Sequence, residues 1–296
     1  MSGAEAETID RLRHDVAVLA GEIGPRTPWL GHSLARAEAH VAGAFEAAGL
    51  LVERRPYRFF GHEVANLVGV PPSSRAATHW YLLGAHYDSV AGTPGADDNA
   101  SAVAVMLELA RRLADCPLPL RFVAFTMEEP PAFGTPWQGS RRFCREMRRR
   151  GERCAGAIVL EMVGFTAPVQ PYPAVLRGRG YPATGDFIGV IGDRASQNFT
   201  ERLVAGMKAA GTVPVESLIV PLRGWLLPIA RLSDHASFWD RGWPAVMVTD
   251  TAFLRNPNYH RPTDRPETLD YQFMAGVTDA LEAAIRDLPP PEPTAG

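Results

Sequence analysis

Residues 80–113 have the sequence WYLLGAHYDSVAGTPGADDNASAVAVMLELARRL, which contains a strand, a turn and a helix in that order. Residues 80–85 are apolar at successive positions, as expected of a strand that is covered on both faces. A Gly/Pro-containing turn follows, and residues 103–113 then place apolar side chains at the three- and four-residue spacing of an amphipathic helix. A strand that leads through a turn into a helix is the repeating unit of α/β folds with mostly parallel sheets.

The same alternation extends along the rest of the chain. Short apolar runs typical of strands recur at residues 65–70, 120–126, 157–162, 187–191, 215–220 and 245–249, and amphipathic helices are predicted at 9–20, 34–48, 199–210 and 273–285. No internal repeat or Gly/Ser-rich linker divides the chain. We therefore predict one α/β domain over residues 1–287, a three-layer fold whose central, mostly parallel mixed β-sheet is covered by helices on both faces. Residues 288–296 are predicted to form a disordered tail.

The composition is that of an ordinary globular protein: 296 residues, 46% hydrophobic and 21% charged, with a net charge of −3. Because this balance creates no broad basic field, we expect no nucleic-acid partner. No apolar run reaches the roughly 18 residues of a membrane span, and no signal peptide is apparent, so a cytoplasmic protein without a membrane partner is expected. Cys116, Cys144 and Cys154 lack a Cys-x-x-Cys spacing and are expected to be reduced structural thiols. No oligomeric state is predicted.

Polar residues follow the first quoted strand at a spacing that suggests a site. His86 and Asp88 are two positions apart, which places both side chains on one face, although a single histidine at a strand end is more often structural. The turn then supplies Asp97 and Asp98 just before the helix. Capping the following helix needs only one such aspartate. The second acidic group therefore favours a hard cation nearby.

Two further strands end in acidic residues. Glu128 and Glu129 follow the strand at 120–126, and Glu161 interrupts the apolar run at 157–162. The side chains of adjacent residues at a strand end point in different directions. One glutamate of the pair can therefore bind a metal while the other faces the substrate as a proton acceptor. An unpaired carboxylate in the position of Glu161 would be costly without a metal or a cationic partner.

The last block of candidate residues surrounds the strand at 245–249. RLSDHASFWDRGWPAVMVTD, followed by NPNYHRPTD, contains Asp234, His235, Tyr259 and His260. Either histidine could bind a metal, and the spacing does not choose between them. Mixed His/Asp/Glu ligation suits zinc, with cobalt or manganese as alternatives.

In this order, over residues 23–271, these motifs resemble peptidase family M28, the zinc aminopeptidases that share a fold with glutaminyl cyclases. The resemblance implies a zinc-exopeptidase-like fold and two divalent ions, with zinc expected. It implies that Asp98 bridges the two ions, that His86 and Glu161 complete one site, and that Glu129 and His260 complete the other. The chain departs from the commoner pattern at Glu161, where many members have Asp.

The resemblance also assigns roles around the metals. Glu128 would be the general base, Asp88 would orient His86, and Tyr259 would stabilise the oxyanion. Asp234 and His235 match a motif near the site without an assigned role. Residues 166–182 and 218–227, which include Trp225, are expected to form a specificity pocket. Asp234, His235 and Trp225 are therefore the candidate substrate contacts.

The function implied by the resemblance is a metal-dependent aminopeptidase acting on peptides or aminoacyl small molecules. Two alternatives stay open. One is a glutaminyl cyclase-like enzyme with a single zinc ion, and the other is a non-catalytic binding protein with the same fold.

Overall fold

The computed structural model describes residues 3–291. Within that range the chain forms eight strands and seven α-helices. The strands are β1 (Leu51–Phe59), β2 (His62–Val70), β3 (His79–His86), β4 (Leu120–Phe125), β5 (Arg153–Glu161), β6 (Ile188–Asp193), β7 (Val215–Val220) and β8 (Ala245–Thr249). The helices are α1 (Gly3–Val16), α2 (Ser33–Ala47), α3 (Ala102–Arg112), α4 (Gly139–Arg149), α5 (Gln197–Ala210), α6 (His235–Trp239) and α7 (Tyr271–Arg286).

All eight strands belong to one sheet, in the order β1-β2-β4-β3-β5-β8-β6-β7. The pairs β3–β4, β3–β5, β5–β8 and β6–β7 are parallel. The pairs β1–β2, β2–β4 and β6–β8 are antiparallel. The predicted mixed, mostly parallel sheet is therefore confirmed.

Helices cover both faces of this sheet, which gives the predicted three layers. On one face, α1, α2, α3, α5 and α7 pack in a large apolar core that includes Val41, Leu109 and Leu281. On the other face, α4 and α6 contribute Phe143 and Phe238 to a second core. The chain thus buries both sides of its central strands, which is why those strands are apolar at successive positions.

Each of the predicted strands is present, but β1 was not predicted. Its sequence LVERRPYRF carries four charged residues and a proline, and it forms the sheet edge, where only β2 pairs with it. A charged edge strand with one neighbour lacks the apolar run by which the inner strands are recognised. Helix α1 begins at Gly3, earlier than the predicted residue 9, because its first turns are polar and carry no apolar periodicity.

The chain ends are held as far as the structure describes them. Leu288 is buried, and the Tyr81 hydroxyl donates a hydrogen bond to the Pro289 carbonyl at 2.9 Å. Residues 292–296 of the predicted tail lie outside the described residues.

Cys116, Cys144 and Cys154 are buried free thiols. Among residues 3–291, no helix combines the length and apolar character needed to cross a bilayer.

The sheet topology brings the candidate residues to one edge. β4, β3, β5 and β8 are parallel neighbours, so their carboxyl ends lie side by side. His86 is the last residue of β3, Glu161 is the last residue of β5, and Glu128 follows the end of β4. This is the edge at which α/β sheets bind their ligands.

Candidate metal centre

Two histidines face one shared carboxylate at this edge. His86 Nε2 lies 3.5 Å from Asp98 Oδ1 and 3.5 Å from Glu161 Oε2. His260 Nε2 lies 3.1 Å from Asp98 Oδ2 and 3.5 Å from Glu129 Oε2. Each oxygen of Asp98 therefore faces a different histidine, and each histidine faces one further glutamate.

The spacing of these atoms fits metal ligands. Two donor atoms bound tetrahedrally at about 2.0–2.1 Å from one zinc ion lie roughly 3.3–3.4 Å apart. The donor atoms of His86, Asp98 and Glu161 all lie within 4.8 Å of one another, as do those of Asp98, Glu129 and His260. The arrangement can thus hold two cations that share Asp98.

Unpaired buried atoms point to the same interpretation. Within the described residues, His86 Nε2 and Glu129 Oε1 are buried and have no hydrogen-bond partner. A buried polar atom without a partner costs about 1–3 kcal/mol, so a native structure rarely leaves one unmatched. Divalent ions bound by imidazole and carboxylate groups would satisfy these two atoms, one in each ligand set, and such donors suit zinc.

The electrostatics of the cluster also favour a cation. Burial and the carboxylate of Asp98 raise the pKa of Glu129 to about 8. Burial raises the pKa of Glu128 well above its usual range, with Glu161 adding to the shift. Burial lowers the pKa of His260, but its contacts with Asp98 and Glu129 raise it to about 10. The carboxylates can carry more negative charge than the two imidazoles can balance. Bound cations would therefore stabilise the ionised forms of the carboxylates.

Of the polar residues in the turn at Ala96–Ser101, Asp98 faces the cluster and the others have structural contacts. Asp97, Asn99 and Ser101 form hydrogen bonds with the main chain of residues 160–164, at the end of β5 and directly after it. Of the two acids that suggested a cation site, Asp98 thus faces the cluster, whereas Asp97 joins the turn to the neighbouring strand. The Asp98–Asn99 peptide bond in this turn is cis.

Asp88 supports both glutamates after β4. Its Oδ1 accepts the Glu128 N–H and its Oδ2 accepts the Glu129 N–H, both at 3.1 Å. His86 Nδ1 lies 3.2 Å from the Asp88 main-chain carbonyl and 3.6 Å from Oδ1. Asp88 therefore contacts the predicted histidine mainly through its backbone, while its carboxylate fixes the chain at the two glutamates.

Two further residues hold the turn that carries Asp98, and the sequence interpretation missed both. Asp264 accepts the N–H groups of Asp97 and Asp98 at 2.9 and 3.1 Å. Arg26 is fully buried and donates to the carbonyls of Pro94 and Gly95 at 2.6 and 2.8 Å. Asp264 ends the NPNYHRPTD block and could have been noticed there, whereas nothing in the sequence around Arg26 marks it.

Non-glycine residues with left-handed backbone flank the cluster. Met127 (φ 56°) precedes Glu128, Met162 (φ 49°) follows Glu161, and His260 itself has φ 57°. Such conformations cost about 1 kcal/mol or more each and are concentrated at functional sites. Met127 and Met162 lie just beyond the ends of β4 and β5, next to Glu128 and Glu161.

His235 and Asp234 lie apart from the two facing ligand sets. The buried His235 ring donates from Nε2 to the Ala230 carbonyl at 2.8 Å, and burial lowers its pKa to about 4. Asp234 is buried, accepts a hydrogen bond from Gln138 at 2.9 Å, and has a pKa raised to about 7 by burial. Of the two histidines that the sequence left open, the structure thus brings His260 to the carboxylates.

An apolar cavity of about 120 Å³ opens beside Glu161 and Tyr259. Burial and nearby carboxylates, Asp98 first among them, raise the pKa of Tyr259. Both segments expected to form a pocket contribute to the lining, through Tyr172, Leu176, Tyr181, Leu218 and Leu227. Trp225 lies outside this lining, is 64% exposed, and stacks against the Arg231 guanidinium at 4.0 Å.

Comparisons with known proteins agree with the motifs. Residues 66–285 match the model of peptidase family M28. The chain is 34% identical over 286 residues to the uncharacterized protein YfbL of Escherichia coli strain K12, covering 92% of this chain and 86% of YfbL. It is 37% identical over 235 residues to aminopeptidase YwaD of Bacillus subtilis strain 168, covering 74% of this chain and 44% of YwaD. The chain thus spans less than half the length of that aminopeptidase.

Solved structures show the same fold at lower identity. BSAP, a zinc aminopeptidase from Bacillus subtilis, superposes with a TM-score of 0.72 at 16% identity, over 94% of each chain. The glutaminyl cyclase of Bacteroides thetaiotaomicron superposes with a TM-score of 0.69 at 17% identity, over 95% of this chain and 98% of that one. Both likenesses concern the fold.

Proposed function

The chain belongs to peptidase family M28, and from that premise we propose that it is a metal-dependent aminopeptidase with two divalent ions, preferably zinc. The observation that carries the proposal is the pair of three-residue ligand sets that share Asp98. The names of two similar proteins, aminopeptidase YwaD and the zinc aminopeptidase BSAP, support the activity and the metal.

The proposed metal sites follow the two facing sets. His86, Asp98 and Glu161 would hold one ion, and Asp98, Glu129 and His260 would hold the other. Divalent ions in such sites polarise a carbonyl group and lower the pKa of water towards 7. The shared carboxylate explains why one aspartate lies between two histidines at 3.5 and 3.1 Å.

Glu128 is the proposed general base. Its Oε2 lies 3.9 Å from His86 Nε2, farther than the four contacts between histidines and carboxylates in the two ligand sets, and the residue is 5% exposed. The donor atoms of Glu128, His86 and Glu129 also lie within 4.8 Å of one another, but in the proposed arrangement Glu128 holds no metal. Its carboxylate is then free to take the proton of the attacking water and pass it to the leaving amine. Tyr259 would donate a hydrogen bond to the oxyanion, where charge develops in the transition state.

The exopeptidase character would come from the acidic surroundings of the metals. A free N-terminal amine carries positive charge, and the acidic cluster at this edge would attract it. The side chain of the first residue would enter the apolar cavity beside Glu161 and Tyr259. Peptides and aminoacyl amides are therefore the proposed substrates.

The test compares wild-type protein with Glu128→Gln, using an aminoacyl p-nitroanilide and the same compound acetylated at its amine. We expect the metal-free protein to be inactive, added zinc to restore release from the free-amine substrate, and the acetylated compound to be inert. Glu128→Gln should lower kcat by about 10²–10⁴-fold while elemental analysis finds the same metal content.

Other outcomes would replace the proposal. Metal lost together with activity in Glu128→Gln would make Glu128 a ligand rather than the base. Ring closure of N-terminal glutaminyl peptides without amine release from any p-nitroanilide would indicate a glutaminyl cyclase. No turnover of any substrate by the zinc-loaded protein would favour a binding protein.

A further inference from the structure

The apolar cavity contains one acidic side chain far from the metal cluster. Glu216 of β7 belongs to the lining, which is otherwise formed mainly by apolar and aromatic residues. The residue is half-buried, and no arginine or lysine of the described residues forms an ion pair with it. We propose that Glu216 selects substrates with a basic N-terminal residue, lysine or arginine, an inference that rests on the proposed aminopeptidase function.

The sheet register places Glu216 in line with the metal cluster. Glu161 pairs with Thr249 of β8, Thr249 pairs with Gly189 of β6, and Gly189 pairs with Glu216. Residues paired across a sheet point to the same face, so all four lie along the floor of the cavity. Three strand steps of about 4.7–4.9 Å place the Cα atoms of Glu161 and Glu216 roughly 14 Å apart.

Two residues, Thr249 and Gly189, lie between the two glutamates, and the second of them leaves room for a ligand. Gly189 has no side chain, although it occupies the middle of the row between Thr249 and Glu216. The neighbouring floor positions on the same face are apolar, and include Ile191, Leu218 and Met247. A long aliphatic stem can therefore run across Gly189 from the metal end of the cavity towards Glu216.

Two tyrosine rings, those of Tyr172 and Tyr181, line the same cavity as Glu216. Its charge contributes to raising the pKa of both Tyr172 and Tyr181, after the larger effect of burial. These rings stack on each other with centroids 5.8 Å apart, and the Tyr181 hydroxyl donates to the Ser217 carbonyl at 3.1 Å. A carboxylate beside aromatic rings suits an ammonium or guanidinium group, which binds both kinds of partner.

The two arginines that affect the pKa values of these tyrosines have other partners. Arg255 affects the pKa of Tyr172, but its guanidinium donates to Gln170 Oε1 and to the carbonyls of Phe165 and Phe187. Arg179 affects the pKa of Tyr181 and donates to the Val175 carbonyl from an exposed position. A substrate cation would therefore meet a carboxylate that no described arginine neutralises by direct contact.

Lysine and arginine side chains suit both the apolar part of this cavity near Glu161 and the carboxylate of Glu216. Their aliphatic stems can cover apolar surface while the charged group remains at a polar site. A leucine side chain would fill the part near Glu161 and leave Glu216 without a partner. The lysine analogue norleucine has the same carbon chain without the amine, so it isolates the contribution of the charge.

The test measures kcat/KM of the zinc-loaded protein for the p-nitroanilides of lysine, arginine, norleucine and leucine. We expect lysine to exceed norleucine by about tenfold, as one charge-assisted hydrogen bond in a half-buried site would provide. Glu216→Gln should reduce this ratio to about one. Glu216→Lys should invert it. Glu201→Gln, on the exposed surface of α5, is the control for loss of one negative charge and should keep the wild-type ratio.

Two results would overturn the inference while leaving the proposed function intact. One is a wild-type protein that hydrolyses norleucine as well as lysine, and the other is a lysine preference that Glu216→Gln does not change. Absence of amine release from all four substrates would refute the proposed function, and this inference with it.

Discussion

Asp88→Asn tests whether the carboxylate beneath the two glutamates controls the site. In the wild-type protein each oxygen of Asp88 accepts one main-chain N–H, from Glu128 and from Glu129, at 3.1 Å. Asparagine keeps the size of the side chain but replaces one oxygen with an NH₂ group, which is only a donor. One of the two N–H groups would then face another donor in a position that is nearly closed to water, since both glutamates are at most 5% exposed.

The expected magnitude follows from that single lost acceptor. Leaving a buried N–H unsatisfied costs about 1–3 kcal/mol, and the peptide at Glu128 or Glu129 would shift to relieve it. If the whole cost appears in the transition state, kcat/KM falls by about 5- to 150-fold. Loss of a residue that supports metal ligands typically costs about 10–100-fold in metal affinity or activity, which is the same range.

The assay measures kcat/KM at saturating zinc, zinc affinity by competition with a chelator, and unfolding in urea. The matched control is Asp193→Asn, because Asp193 is also buried and accepts the Ser196 N–H at 2.9 Å, at the end of β6 far from the site. Asp88→Asn should lose about 1–3 kcal/mol of stability together with activity or zinc affinity. Asp193→Asn should keep all three, because Asp193 accepts only through Oδ1, an oxygen that asparagine retains. Unchanged kcat/KM and zinc affinity in Asp88→Asn would refute the reasoning.

Two further predictions concern a ligand and a buried ion pair. His260→Ala should lower the zinc content towards one ion per chain, because it removes one of three donors of its set; elemental analysis that finds two ions would exclude His260 as a ligand. Glu108 is fully buried and forms ion pairs with the partly exposed Arg11 and Arg112. These pairs should contribute about 2 kcal/mol to the free energy of unfolding at neutral pH, which is less than fully buried pairs contribute. Since these contacts lower the folded pKa of Glu108 below 4.5, that contribution is present above pH 4.5 and lost as the pH falls through the folded pKa. Urea unfolding of Glu108→Gln should thus approach the wild-type stability in acid, and a difference that persists there would contradict the assignment.

The inner strands could be predicted because burial on both faces requires continuous apolar runs. β1 could not, since an edge strand with one neighbour keeps charged residues such as Glu53 and Arg54 in solvent. The short helix α6 was missed for a different reason. Its five residues are too few to establish a helical period, although all of them are buried.

The site was predictable to the extent that its residues follow strands. His86, Glu128 and Glu161 stand where apolar runs stop, so their types and positions suggest a cluster. Arg26 belongs to no such pattern, because its contacts with the turn at Pro94 depend on chain segments 68 residues apart. Long-range main-chain contacts of this kind leave no local mark in the sequence.

Glu161 shows how the structure accommodates a departure that the sequence alone could only note. A glutamate is one methylene longer than the aspartate of the commoner pattern, yet its Oε2 lies 3.5 Å from His86 Nε2, the same distance as the facing oxygen of Asp98. The Ser233 hydroxyl donates to that same oxygen at 2.6 Å and so fixes the longer side chain. Because Ser233 directly precedes Asp234 and His235, the segment that offered a second candidate histidine instead supplies the hydrogen bond that positions a proposed ligand. The hydrogen bond from Ser233 thus holds the longer acid at the distance from His86 at which Asp98 also lies.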